Sequence, residues 1–237
     1  MSISYQQASN FSHMFQNMPK RHPLNKELTL SYENHYRQAP VNVSRGPMIV
    51  EYMDGLIQTY KNQKAQYPKV FAVMITLYFP ADWSEIERVQ ADYFSRFMAS
   101  LRAQIDSHTQ RRRLQGDGRT NQVRFCRVVE DGSQRGLHIH AVLFFNGHAF
   151  RALGDYDSTQ MNLYHRIVAA WGSALGLYPC VIAEQGLIDF SHGGYFIEPG
   201  QALRETVKSM FYHYSYLCKA QTKRFDLPLK TMSRSRS

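Results

Sequence analysis

Residues 122–146, "QVRFCRVVEDGSQRGLHIHAVLFFN", decide the fold. "QVRFCRVVE" and "LHIHAVLFFN" are β-branched and aromatic runs joined by "DGSQRG", a turn composition, and together they predict an antiparallel hairpin. In the second run alternate side chains share a face, so His138 and His140 point one way while Leu137, Ile139 and Ala141 point the other. Two imidazoles side by side in an apolar strand read as a ligand pair; the plain alternative is two hydrogen-bonded histidines on a half-buried strand. Glu130 closes the first run, so the turn can bring its carboxylate beside both imidazoles, and two histidines with one carboxylate are a standard open metal site. Asp131 is the fallback carboxylate.

Working outward, "KVFAVMITLYFP" predicts a strand closed by Pro80. Before it, Ile49, Met53, Leu56, Ile57 and Tyr60 follow helical spacing up to Pro68. After it, Ile86, Val89, Tyr93, Phe97 and Leu101 predict one long helix, capped by Ser84 or Asp82 and running out into the loop "TQRRRLQGDGRTN". Leu163, Ile167, Val168 and Trp171 predict a helix over about 158–175, "PCVIAEQGLIDFS" and "GYFIEPG" carry weaker strand signals, and "ALRETVKSMFYHYSYLCKAQTK" reads as a last helix. The order predicts an α+β domain: a central antiparallel sheet of about five strands with helices on one face. Residues 1–45 are polar, carry Pro19, Pro23 and Pro40, and read as an arm; 46–228 form the domain; 229–237 are a basic tail expected to fray.

Lys and Arg outnumber Asp and Glu by 28 to 19 over 237 residues, a formal charge of +9, so the default partner is anionic: nucleic acid first, membrane surface second. Arg111, Arg112, Arg113 and Arg119 are the expected phosphate-contacting cluster, with a merely solvated basic loop as the alternative. Cys126, Cys180 and Cys218 are widely spaced and odd in number, which excludes a zinc knuckle and a disulfide framework. No leader pattern and no window of 18 uninterrupted apolar residues is present, so no membrane association and a cytoplasmic location are expected. No G-x-x-x-x-G-K-[ST] occurs, which excludes a fused helicase and a nucleotide cofactor.

In the last helix, Tyr212, Tyr216, Lys219 and Lys223 stand at i, i+4, i+7 and i+11, one stripe, while Val207, Phe211, Tyr214 and Cys218 form another that can face the core. A tyrosine stripe alone is usually packing. Combined with a metal site and a basic chain it reads as a nucleophile: the cation holds a scissile phosphate, Lys219 adds positive charge, and a phenol attacks to give a 5′-phosphotyrosine. Lys223 continues the stripe as a DNA contact.

"GLHIHAVLFF" resembles the histidine-hydrophobic-histidine motif of HUH endonucleases, "YLCK" their Y-x-x-K motif and "FAVMITLYFP" their first strand motif, in the same order. Within that superfamily, residues 46–228 are most similar to rolling-circle replication proteins of filamentous phages and to prophage proteins of the YagK/YfjJ type. The resemblance implies a ferredoxin- or RRM-like HUH fold, Mg²⁺ or Mn²⁺ on Glu130, His138 and His140, and nicking of single-stranded or hairpin origin DNA to start rolling-circle replication. Host replication machinery is a candidate partner. The resemblance also implies a bacterial host, and it selects Tyr216, three residues before Lys219, as the first nucleophile; Tyr212 either supports packing, holds DNA or acts as the second tyrosine of an alternating pair. A plasmid relaxase or single-strand transposase would keep this chemistry, whereas a non-catalytic nucleic-acid-binding domain or an iron oxygenase would use only part of it.

Overall fold

The computed structural model describes residues 20–132, 135–200 and 203–235. In chain order the elements are β1 (Arg21–His22), β2 (Asn25–Ser31), β3 (His35–Tyr36), β4 (Ala39–Pro40), β5 (Met48–Ile49), α1 (Val50–Gln66), β6 (Val70–Tyr78), α2 (Glu85–Val89), α3 (Tyr93–Leu114), β7 (Arg124–Gly132), β8 (Gly136–Asn146), α4 (Leu163–Leu175), α5 (Pro179–Glu184), β9 (Ile188–Ile197), α6 (Leu203–Tyr214) and β10 (Met232–Arg234). Short 3₁₀ turns occupy Val43–Arg45 and Ser215–Cys218.

The expected α+β architecture is present: a five-stranded antiparallel sheet in the order β10-β7-β8-β6-β9, with helices packed on it. The β7–β8 hairpin pairs Glu130 with His138 and Val128 with His140, and β6 sets Thr76 against His140 and Tyr78 against His138. Helices cover both faces of the sheet, not one. On the first face Phe71, Val73, Ile75 and Leu77 of β6 meet Ile139, Leu143 and Phe145 of β8 beneath α3, α4 and α5, around the buried Trp171. On the second face Ala72, Met74, Val142 and Phe144 lie under α1, α6 and the turn after it. Every second residue of a central strand is apolar toward each layer, which is why β6 and β8 read as nearly continuous hydrophobic runs.

Several boundaries differ from those expected. The period from Ile86 to Leu101 spans two helices: Ser84 caps α2 through a capping box with Glu87, and Asp92 starts α3 by accepting from Ser95 N. Ile86 is consequently exposed. Helix α3 continues to Leu114, so Arg111, Arg112 and Arg113 form its last turn rather than a loop, where cations suit the helix C-terminus. "PCVIAE" is helix α5 with Pro179 at its start, and the two weaker strand signals beyond it join in the single strand β9.

Residues 1–19 of the expected arm lie outside the described residues, and residues 20–45 carry short strands, with Leu30 of β2 and Val41 just after β4 buried in the second-face core. The tail expected to fray supplies β10, paired with β7 from Met232 to Arg234. Among the described residues no helix is long and apolar enough to cross a membrane.

Candidate active site

The paired ends of β6, β7 and β8 carry the chemistry. Because Glu130 faces His138 across the hairpin and His140 follows two residues later, one ligand atom from each lies within 4.8 Å of the others. His138 Nε2 is 3.2 Å from His140 Nε2, which in turn is 3.7 Å from Glu130 Oε2. Ligand atoms about 2.1 Å from one ion sit roughly 3–3.5 Å apart, so the pairs at 3.2 and 3.7 Å are near that spacing and a small closing movement of the His138 and Glu130 side chains would let the three hold one small cation. Both imidazoles are held from behind. His138 Nδ1 donates to Gly136 O at 2.8 Å, which leaves the Nε2 lone pair of the neutral ring facing the centre, and His140 Nδ1 meets Thr76 Oγ1 at 2.9 Å. Gly132 makes room: a Cβ there would lie 3.0 Å from His138 Cε1.

Electrostatics keep the imidazoles neutral and the carboxyl ionised, the forms able to hold a cation. Burial, opposed by Glu130 and aided by His138, Lys219 and Lys223, lowers His140 to about 3. Burial also lowers His138, against the pull of the Gly136 carbonyl and Glu130. Burial raises the Glu130 carboxyl, but Lys223, His140 and Lys219 outweigh it and bring the group to about 2. The carboxylate accepts from Lys219 and Thr222 on Oε2 and from Lys223 on Oε1, with Thr222 at 2.8 Å. A carboxylate offers about four acceptor sites, so one remains for a cation.

Tyr216 and Lys219 arrive here, but not on the predicted helix. Helix α6 ends at Tyr214, the next four residues form a 3₁₀ turn, and Lys219 is extended, so the stripe through Lys223 does not exist as a helical face. Long-range pairing replaces it: Met48 bridges Lys219, Glu130 bridges Lys223, and Ala220 N donates to Pro47 O at 2.8 Å. The half-buried Tyr216 ring lies 6.1 Å from the His140 ring, and Lys219 Nζ sits 3.8 Å above the Tyr216 centroid. Burial and Glu130 raise the phenol's pKa, and Arg45 opposes them.

Other expected residues go elsewhere. Tyr212 is exposed in a groove with His35, Glu205, Lys208 and His213. Lys223 is a sealed ion-pair partner rather than a DNA contact, its side chain 0% exposed. Asp131 pairs with Arg224 at 2.8 Å. Arg112 and Arg119 both hold Asp117, and Arg119 also donates to His148 O at 2.7 Å, beyond the far end of β8 and roughly 20 Å of strand from His140. Arg111 and Arg113 lie on α3, which covers the first face, so the four arginines do not join the site.

Thr222, Arg45 and Tyr78, whose ring is 5.6 Å from that of His138, had no sequence signal. Thr222 is the most telling, because a β-branched residue at φ 65° is strained, and here it delivers both its hydroxyl and Lys223 to Glu130.

No solved structure matches the chain. It is 26% identical over 189 residues to the uncharacterized protein YfjJ of Escherichia coli (strain K12), covering 75% of this chain and 90% of that protein. It is 27% identical over 192 residues to the uncharacterized protein YagK of the same organism, covering 77% and 90%. The YagK/YfjJ C-terminal domain model matches residues 31–235, taking in the hairpin, the Tyr216–Lys223 segment and β10, and the chain therefore belongs to the YagK/YfjJ C-terminal domain family.

Proposed function

We propose that this chain is a metal-dependent, site-specific single-strand DNA nickase and strand-transferase of the HUH type, which initiates rolling-circle replication through a 5′-phosphotyrosine on Tyr216. The observation that carries the reading is the meeting of Tyr216 and Lys219 with Glu130, His138 and His140, groups from two strands and a distant turn that packing alone does not require to converge. A Mg²⁺ or Mn²⁺ ion on the triad would supply Lewis acidity at the scissile phosphate, and imidazole ligands favour Mn²⁺ in affinity.

The protein's own groups account for the remainder. Glu130 and burial hold the Tyr216 phenol protonated at rest, since both raise its pKa. Attack needs that bias offset, and the Lys219 ammonium over the ring and the Arg45 charge favour the developing phenolate. Tyr216 Oη forms a bond to phosphorus, the bond from phosphorus to the 3′ oxygen breaks, the phenolic proton passes to solvent and the 3′ oxygen takes one up. The tyrosyl phosphodiester keeps the energy of the broken bond, so a free 3′-OH can reverse the step and join strands without ATP. The formal charge of +9 suits a polyanionic substrate.

The test is incubation of the full chain with labelled single-stranded and hairpin oligonucleotides and Mn²⁺. An SDS-resistant protein–DNA adduct that EDTA prevents is the expected result; nicking undiminished by EDTA would contradict the metal-dependent mechanism.

A further inference from the structure

A cavity of about 770 Å³ opens at the same end of the sheet as the triad, where β6 leaves the sheet and β8 enters it, and no step described so far uses it. Its volume falls in the range of sites that enclose a small organic ligand. Phe79 and Leu187 are apolar and buried, Asp82 and Gln185 are exposed and polar, and Arg88 and Arg135 are cationic.

The arginines differ from those at the end of α3. Arg112 and Arg119 are occupied by Asp117, whereas the bonds of Arg88 and Arg135 go to main-chain carbonyls: Arg88 to Arg135 O and Pro80 O, both at 3.2 Å, and Arg135 to Gly186 O at 2.7 Å. Carbonyl bonds orient a guanidinium without neutralising it. Each retains donors from its set of five, and Arg88 Nε is buried without a partner among the described residues. Gly136 is shaped to this arrangement, since a Cβ there would lie 2.7 Å from Arg88 Nη1.

Arg135 also ties the cavity to the chemistry. Its guanidinium lies 4.6 Å over the Tyr78 ring, whose other neighbour is the His138 ring at 5.6 Å. A ligand held by Arg135 is therefore one aromatic ring away from a metal ligand.

Two cations without a carboxylate partner among the described residues, polar groups able to meet a base edge, and an apolar wall for a base face are the three chemistries of one nucleotide. We infer that this cavity is a nucleotide subsite, in which Arg88 and Arg135 grip a backbone phosphate of single-stranded DNA beside the cleaved bond and Asp82 and Gln185 meet the edge of its base. The inference rests on the nickase reading, and its test separates the two.

Arg135→Ala removes one phosphate grip. Ala81→Trp fills the cavity from an exposed position on its lining and touches neither the triad nor an arginine's bonds. Both full-length variants are compared with wild type, in Mn²⁺, for binding of fluorescein-labelled oligothymidine by anisotropy, alongside thermal melting with and without Mn²⁺. Loss of one charge-assisted phosphate contact predicts affinity lower by about tenfold or more in each, with melting and the Mn²⁺ response unchanged. A triple Ala variant of Arg111, Arg112 and Arg113 serves as the control and should bind within about twofold of wild type. If either Arg135→Ala or Ala81→Trp binds as tightly as wild type, the subsite is refuted while the nickase reading stands on its adduct. If wild type binds no single strand, both fall.

Discussion

Strand β8 shows two kinds of interior on its two sides. On one, Leu137, Ile139, Ala141, Leu143 and Phe145 are sealed beneath α3 and α4; on the other, Val142 and Phe144 are equally dry, but toward the start of the strand the side chains become His140 and His138. The first side is held by apolar area and shape. The polar end of the second is held by giving each buried polar atom a partner: Gly136 O and Thr76 for the imidazoles, Lys219, Thr222 and Lys223 for Glu130. Because the side-chain period of a strand is two, chemistry is placed on one face without cost to packing on the other. The two sides should therefore fail in different ways.

The largest effect belongs to the dry side. Trp171→Ala should cost about 3–5 kcal/mol in denaturant unfolding, the range for a large aromatic removed from a packed core, with metal affinity per folded molecule retained. Glu130→Gln should cost nearly as much by another mechanism, roughly 3 kcal/mol, because two buried ammonium groups lose their counter-charge. Adding Lys223→Met should return part of that stability, whereas no second substitution of a charged residue should rescue Trp171→Ala. A Glu130→Gln protein that unfolds like wild type would erase the distinction between the two sides.

Smaller in stability but decisive for chemistry are the histidines. His138→Ala and His140→Ala should each lower the melting free energy of the metal-free protein by only about 1 kcal/mol, a surface-like to moderate effect. What should vanish is the response to Mn²⁺, which for a site at a hundredfold excess over its dissociation constant is about 2.7 kcal/mol of added stability. A Mn²⁺-induced shift that survives the double variant would place the cation elsewhere.

The legibility of the molecule divides along the same line of local against distant pairing. Glu130, His138 and His140 could be read from sequence because adjacent antiparallel strands and one short turn fix their register, and the helical period of α1 and α4 follows from residues three and four apart. The period from Ile86 to Leu101 predicts one helix because it continues by coincidence across the break at Gln90–Asp92, where the helix capped by Ser84 has ended and Asp92 caps a second one. The spacing of the Tyr216–Lys223 segment predicts helix; its path is set instead by backbone pairing to Met48 and Glu130, contacts 171 and 93 positions away in the chain, which no window of sequence contains. The same holds for β10, three residues long, whose partners in β7 lie 104 to 108 positions upstream. Arg45 and Thr222 reach the site only because those distant pairings exist. The arginines at the end of α3 are the converse: conspicuous in sequence, and carried by a helix of the other face to the far end of the sheet.

On the proposed mechanism Tyr216, held between Lys219 and His140, is the nucleophile, and Tyr212, four residues earlier and turned toward a separate groove, is not. The most direct measurement is mass-spectrometric mapping of the DNA-bearing peptide from the covalent adduct of the wild-type chain, with Tyr216→Phe and Tyr212→Phe run beside it. The account predicts the nucleotide on Tyr216, no adduct from Tyr216→Phe and an undiminished first-strand adduct from Tyr212→Phe. A first-cleavage adduct mapped to Tyr212 would contradict it.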